Sequence, residues 1–389
     1  MNLKTRWHNL FKEFVGNRLR LLLALLWITL SIGGVGIVAN AYYLIKTDLY
    51  AQFAAGNPAS VSLELSPFDE SLVQAVSADQ KVENAAPRRL AMSSLVEHPA
   101  AVLQLEAVPD FEHLRVSQPL TIVGRNMLGF ADIVLETDTA EALEKQVGDL
   151  VVVQTESGKV FSLKVQAIVQ DIYVQPTTHT GLLRGFISME TLSLLGEPWL
   201  YNRLDVVIKG DHNDAGVVMQ AVDELKNAVI QPAGVEVVGI GYPGGASAPG
   251  EHWAQNLIDL VMIVLLAASV LMVAICVWLL VHTIRFVIPQ QVKQLEVLPA
   301  LWEDPFQKFI LKLFILSLAG WVLAILVGMA GSYGLAQVAA NAFHFTVTGI
   351  RIAPMVFLLQ TVLAFVVPVA ATLFPLLNQI KADSLTSRG

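Results

Sequence analysis

The stretch Leu260-Val-Met-Ile-Val-Leu-Leu-Ala-Ala-Ser-Val-Leu-Met-Val-Ala-Ile-Cys-Val-Trp-Leu-Leu-Val-His-Thr-Ile284 decides how this chain folds. It holds 25 residues without Asp, Glu, Lys or Arg. A helix of that length is long enough for a bilayer core, which takes about 20 apolar residues. Three further runs are equally free of charge: Leu21 to Ile45, Leu313 to Ile350 and Ile352 to Ile380. Together they explain why only 15 % of the residues are charged and 54 % are apolar, where a soluble domain has about 25 % charged. A soluble cytoplasmic enzyme is excluded, and four spans are expected.

Charge is divided unevenly around these runs. Lys46 to Glu251 carries 13 basic and 27 acidic residues, net −14, which against −8 for the chain leaves +6 elsewhere. Lys4, Arg6, Lys12, Arg18 and Arg20 precede the first run, Arg285, Lys293, Lys308 and Lys312 follow the second, and Lys381 and Arg388 lie in the tail. Basic residues mark the cytoplasmic side. Both termini and the 285–312 loop are therefore expected in the cytoplasm, and the acidic 46–253 segment outside. No basic surface suited to nucleic acid is present.

The expected organisation follows from these counts. Residues 1–20 form a cytoplasmic amphipathic helix, with Leu3, Trp7, Leu10, Phe11 and Phe14 at three- to four-residue steps opposite a basic face. Spans are expected at 21–45, 257–284, 313–335 and 352–377, with a cytoplasmic loop at 285–312, an outside loop at 336–351 and a cytoplasmic tail at 378–389. The fold class is an α-helical integral membrane protein of four transmembrane helices, with an α+β extracytoplasmic domain between helices 1 and 2. Ala39-Asn40-Ala41 has the small-x-small form of a signal cleavage site. The run before it is longer than the 7–15 residues of a secretory h-region, so a permanent helix is expected.

Inside 46–253, Val61 to Leu65 alternates as a strand, Phe68 to Val76 has helical spacing, and Arg89 to Val96 reads as a strand after a break at Pro87. The order returns as strand 204–208, helix 215–229 and strand 235–240. Two such units, one at each end, suggest a pair of α+β lobes forming one body. Between them, a short helix at 139–146 and strands at 147–153 and 160–170 flank a Ser157-Gly158 turn, giving a β-rich insert near 139–170.

Motifs for catalysis are scarce. The chain has no G-x-x-x-x-G-K-[ST] loop, no H-E-x-x-H and no G-x-S-x-G. The lone Cys276 can make neither an internal disulfide nor a cysteine zinc site. His98, His113, His179 and His212 are scattered and read as surface residues. Asp259, at the outer end of the second run, reads as an interfacial acid or a relay carboxylate. Gly320, Ala324 and Gly328 recur at four-residue steps on the third run, a face that lets helices approach closely within one chain or between two. No catalytic, cofactor-binding or metal-ligating residue is assigned.

The plan of four spans with a large outside domain after the first resembles the MacB-type and FtsX-type permeases of ABC transporters. Thr139-Ala-Glu-Ala-Leu-Glu-Lys-Gln-Val-Gly-Asp149, the following hairpin and Lys164-Val-Gln-Ala-Ile-Val169 are similar to that family's helix, V-G-D, strand, G, strand passage, and Val73 to Glu83 is similar to the helix and linker of its first porter lobe. The resemblance implies a MacB-like periplasmic core domain in the cell membrane. It implies a separate cytoplasmic ATPase that binds ATP and magnesium, with no cofactor held by this chain, and a second copy or related permease chain as dimer partner. It places the ATPase contact on Gln294-Leu-Glu-Val-Leu-Pro-Ala-Leu-Trp-Glu303, where Leu295, Leu298, Ala300 and Leu301 keep the family's apolar pattern. Gln294, Glu296, Pro299 and Trp302 depart from its acid, glycines and base. Export or extraction of a substrate is implied, or activation of a cell-wall hydrolase in the FtsX manner. A membrane-anchored sensor without an ATPase is the third reading.

Overall fold

The computed structural model describes residues 18–155, 158–295 and 303–369. They divide into a helical unit, which holds the residues up to Thr47, Asp259–Ala339 and those from Val347 on, and an α+β domain of Asp48–Ile258 with Ala340–Thr346. The helices of the first unit are α1 (Arg18–Ala55), α7 (Gln255–Leu295), α8 (Glu303–Phe343) and α9 (Pro354–Val369), with α2 to α6 belonging to the domain. Among the described residues α1, α7 and α8 are long and apolar enough to cross a membrane, and α9 is shorter. The amphipathic helix expected at 1–20 and the tail at 378–389 lie outside the described residues.

Three helices overrun the expected spans. Helix α7 runs on to Leu295 and α8 begins at Glu303, so the loop expected at 285–312 is helical at both ends. The first helix continues to Ala55, because Leu49 and Phe53 are buried in the domain. The third continues through the start of the loop expected at 336–351, since Ala336 and Ala340 keep a buried helical face. It stops at Phe343, where His344 takes the left-handed conformation (φ 55°) often found just past a helix end.

In chain order the domain runs β1 (Val61–Phe68), α2 (Glu70–Ser77), β2 (Val82–Leu95), β3 (Val102–Val108), β4 (Leu120–Gly124), β5 (Asp132–Glu136), α3 (Thr137–Ala142), β6 (Leu150–Gln154) and β7 (Val160–Gln170). It continues through α4 (Thr177–Thr180), β8 (Leu182–Ser188), α5 (Met189–Leu194), β9 (Tyr201–Ile208), α6 (Ala215–Leu225), a π-turn at Lys226–Ile230, and β10 (Val237–Gly241). The strands follow one path, β10-β1-β9-β2-β3-β8-β5-β7-β4, with β6 paired to β2 and β7.

The two strand–helix–strand units do not make one lobe each but share a single lobe. They interleave as β10-β1-β9-β2, all antiparallel, the strand order of a split β-α-β. Each unit alone has too few strands to bury its apolar face, and sharing one sheet solves that. Asp69 caps α2 through the Ser71 amide and Asp214 caps α6 through the Gly216 and Val217 amides. Those helices bury Leu72, Val73 and Val76, and Val218, Ala221, Val222 and Leu225, against Val61, Leu63, Leu204 and Val206 of the strands. At roughly 1.5–3 kcal/mol per large side chain, this core holds the lobe together.

The second lobe is inserted between β2 and β9 and is larger than the insert expected near 139–170. Strand β2 joins the two: Val82 to Arg88 pairs with β9, and Arg89 to Ser94 with β3. The expected break at Pro87 is absent. Pro87 stands opposite Leu204 where β2 has β9 on one side only, so its missing N–H costs no ladder bond.

Candidate functional site

The helical unit is tied by a polar seam. Asn40 on α1, 1 % exposed, donates from Nδ2 to Ser332 Oγ on α8 at 2.8 Å and to the Arg351 carbonyl at 2.9 Å. Its Oδ1 accepts the Ala353 amide at 2.9 Å, just before Pro354 opens α9. One side chain from another helix thus does the work of an N-cap, and Pro at the first helical position needs no donor of its own. Gln360 on α9, also 1 % exposed, reaches the Ile32 carbonyl at 3.4 Å and the Ala324 carbonyl at 3.5 Å. Buried amides in a membrane helix are costly unless paired, and they mark places where helices are held in one register.

Small residues create the room. A Cβ on Gly36 would come within 1.8 Å of Gln360 Nε2, and one on Gly328 within 2.8 Å of the same atom. A Cβ on Gly320 would come within 2.6 Å of Ile28, while Ala324 is fully buried with Ile28 and Ile32. Gly320, Ala324 and Gly328 therefore face α1 and α9 of the same chain.

Of the expected ATPase-contact residues, Gln294 and Leu295 close α7, whereas Glu296, Leu298, Ala300 and Leu301 lie outside the described residues. Asp259 accepts from Tyr42 Oη at 2.8 Å, with Lys46 Nζ at 3.4 Å. His98, His113, His179 and His212 are exposed.

The domain holds two buried polar clusters. Arg88, 4 % exposed, pairs with Glu106 and, at 2.8 Å, with Asp205, which also receives Arg203 at 2.9 Å. Burial would push Asp205 upward, but Arg203 and Arg88 outweigh it and hold its carboxyl below the usual range. Asp171, buried nearby, is pushed up to about 6 by burial and then by the charge of Glu106. The network sits where β2 changes partner from β9 to β3, so it joins the lobes by charge as well as by backbone.

The second cluster is Glu136, Asp138 and His344, whose facing nitrogen and oxygen atoms lie within 4.8 Å of one another. Burial, then the charge of Asp138, pushes Glu136 up to about 8. His344 borders a cleft of about 440 Å³ lined also by Gln52, Gly56, Gln118, Gln170 and Tyr173. No sequence signal marks the trio, since the chain separates His344 from the carboxylates by most of its length. Asn40 was read only as the middle of a small-x-small stretch, and Gln360 escaped notice as a single uncharged polar residue in an apolar run.

No protein-family model matches the chain, and no curated protein sequence matches it. About half of the chain aligns with solved extracytoplasmic domains. One is the extracellular domain of the noncanonic ABC-type transporter YknZ from Gram-positive bacteria (12 % identity, TM-score 0.32, 46 % of this chain and 100 % of that one). Another is the periplasmic region of MacB from Actinobacillus actinomycetemcomitans (13 %, 0.33, 50 % and 93 %). A third is a domain described as part of a permease from Porphyromonas gingivalis (14 %, 0.30, 48 % and 81 %). A likeness of this size identifies neither activity nor partner.

Proposed function

We propose that this chain is the membrane subunit of an ABC-type assembly, in which a separate cytoplasmic ATPase drives movement of the outside domain to export or extract a substrate. The observation that supports it most is helical continuity. Helix α1 is unbroken from Arg18 to Ala55 and α8 from Glu303 to Phe343, and each passes from the helical unit into residues that belong to the domain. The polar seam of Asn40, Ser332 and Gln360 ties α1, α8 and α9 together within the helical unit. The chain has no phosphate loop, so the energy must come from a partner. Two copies, or one copy and a related chain, complete such a machine, and α7 offers the surface: Leu260, Ile263, Val264, Val270 and Leu271 are all more than half exposed.

The departures at Glu296, Pro299 and Trp302 favour a second reading, a sensor or hydrolase-activating scaffold without transport. A pull-down of the genomically linked ATPase separates them. Recovery with wild type and loss with Leu298→Glu/Leu301→Glu supports the permease reading, since two lost leucine contacts weaken docking by roughly 3–6 kcal/mol. Equal recovery from both would make the loop a plain connector.

A further inference from the structure

We infer that His344 is a proton-controlled clasp, gripped by Glu136 on one ring nitrogen and by Asp138 on the other. It fastens the segment after α8 to the β5–α3 corner of the domain while the trio keeps one shared proton, and lets go when that proton leaves. Glu136 ends β5 and caps α3, whose first turn carries Asp138, and His344 follows α8. All three residues belong to the domain.

The backbone sets the grip. Glu136 Oε2 accepts the Asp138 amide at 2.8 Å, and Asp138 Oδ2 accepts the Thr177 amide at 2.9 Å. Each carboxylate thereby fixes one oxygen and turns the other to the imidazole. Glu136 Oε1 lies 3.4 Å from His344 Nδ1, and Asp138 Oδ1 lies 2.9 Å from His344 Nε2. Among the described residues Glu136 Oε1 and His344 Nδ1 have no partner but each other. Glu136 is 3 % exposed, so water is a poor substitute for that contact.

This arrangement has a fixed proton requirement. A neutral imidazole carries one N–H and one lone pair, and an ionised carboxylate can only accept. With both carboxylates ionised and the ring neutral, one nitrogen faces an oxygen with no proton between them. One added proton repairs both contacts, either as an imidazolium between two carboxylates or as glutamic acid donating to a neutral ring. Both forms carry a net charge of −1. Losing the proton leaves −2 in a buried site and sets a ring lone pair against a carboxylate oxygen.

The surrounding charges favour keeping it. Burial, then Asp138, with a further push from Asp171 just after β7, raises Glu136 from an ordinary 4.5 to about 8. Arg88 on β2 and Arg184 on β8 act on Asp171. In the cleft His344 is accompanied by Tyr173, whose hydroxyl burial pushes up, and by the uncharged Gln52 and Gln170. A group raised on folding contributes fully below its ordinary value and loses that contribution as pH rises through the raised one. The grip is therefore full below about 4.5, weakens by up to about tenfold per pH unit, and is spent above about 8.

His344 stands in the left-handed conformation, φ 55°, at a cost that its contacts have to offset. Gln52 clips the same segment without any proton, donating to the Thr346 carbonyl at 2.7 Å and accepting its amide at 2.9 Å and its hydroxyl at 3.0 Å. Phe345 is buried, and Phe343 packs edge-on against Trp253 at 5.7 Å. Once the proton is lost, Gln52 and these rings hold the segment alone. The imidazole is then free to turn into the cleft of about 440 Å³ that it borders. The pH around the domain thus sets how firmly it holds Ala340–Thr346.

The test is hydrogen exchange, read by mass spectrometry on the full chain in detergent micelles and corrected for intrinsic exchange. Protection of peptides spanning 340–350 should fall by up to about tenfold per pH unit between about 6 and 8, above the range in which Asp171 titrates, and then level off. Glu136→Gln supplies a neutral group that can donate or accept, so its protection should stay level over that range. His344→Gln should be little protected throughout. A wild type without the slope, or Glu136→Gln with the wild-type slope, would overturn the clasp. If Glu136→Gln does not fold, His344→Gln decides in its place, and a slope that survives it overturns the clasp equally. None of these readouts depends on the ATPase.

Discussion

Asn40 on α1 and Ser332 on α8 meet through a 2.8 Å hydrogen bond inside an otherwise apolar helical unit. Asn40 also serves the Arg351 carbonyl and the Ala353 amide, so it joins three helices while Ser332 joins two. Hydrogen bonds between membrane helices are worth about 0.6 kcal/mol on average, with a maximum near 1.7. Asn40→Ala should therefore destabilise the protein in detergent by roughly 1–3 kcal/mol and Ser332→Ala by under about 1. Unfolding titrations in mixed micelles measure both, and a larger loss for Ser332→Ala would refute the ranking.

Gly36 supplies a control for packing. Gly36→Ala drives a methyl into the Gln360 amide and should cost about 1–3 kcal/mol. Gly34→Ala meets open space within 4 Å and should be nearly neutral. Adding Gln360→Ala to Gly36→Ala should recover part of the loss, because the obstructing amide is removed. A double variant no more stable than the Gly36→Ala single would show that the clash is not with Gln360.

Buried and exposed ion pairs should separate cleanly. Arg88→Met leaves Glu106 and Asp205 buried without a cation, which costs about 3–5 kcal/mol. Lys81 and Glu224 are each nearly half exposed, and Lys81→Met should cost less than about 1 kcal/mol. Thermal melts of the two variants check the contrast.

His252 should make the domain sensitive to acid. It is 1 % exposed, lies 5.6 Å from the Phe53 ring and 5.2 Å from Trp253, and accepts the Ala254 amide on Nδ1. Burial pushes it down to about 4 from an ordinary 6.5. A depressed group contributes stability above its unfolded value and loses it as pH falls, so the loss runs from about 6.5 to 4. It amounts to roughly 3 kcal/mol. Asp171, raised to about 6, has the opposite sign: its contribution is full below about 4 and is lost as pH rises through 6. The two partly cancel, so the informative measurement is the difference in pH slope between wild type and His252→Gln. Parallel slopes would contradict the assignment.

Topology can be read by cysteine labelling. Gly158→Cys and Asp211→Cys should react from outside the cell, and Glu303→Cys and Ser387→Cys from inside. Outside labelling at Glu303→Cys would overturn the arrangement of spans.

Much of this architecture was legible because its signals are local. Uncharged runs announce membrane helices, and Leu204 to Ile208 or Val160 to Gln170 announce themselves by β-branched content. Strands β3, β4, β5 and β8 were not legible, since their pairing is decided by partners far along the chain rather than by their own pattern. Pro87 misled for the same reason: a proline breaks a strand only where its N–H is needed, and whether it is needed depends on the neighbour. The cluster of Glu136, Asp138 and His344 was invisible because Glu136 and Asp138 are ordinary residues until His344 folds between them.

The strand order has a consequence for biogenesis. Strand β1 is among the first parts of the domain to emerge, yet its two partners, β9 and β10, are the last strands made. During that interval β1 presents a bare hydrogen-bonding edge, and no independent piece of the first lobe can form ahead of the rest. Contacts of such long range slow folding and prolong exposure to misassociation. The domain should depend on chaperones or on slow translocation for its yield. Truncations ending before residue 201 should be recovered as proteolytic fragments rather than as a smaller folded lobe.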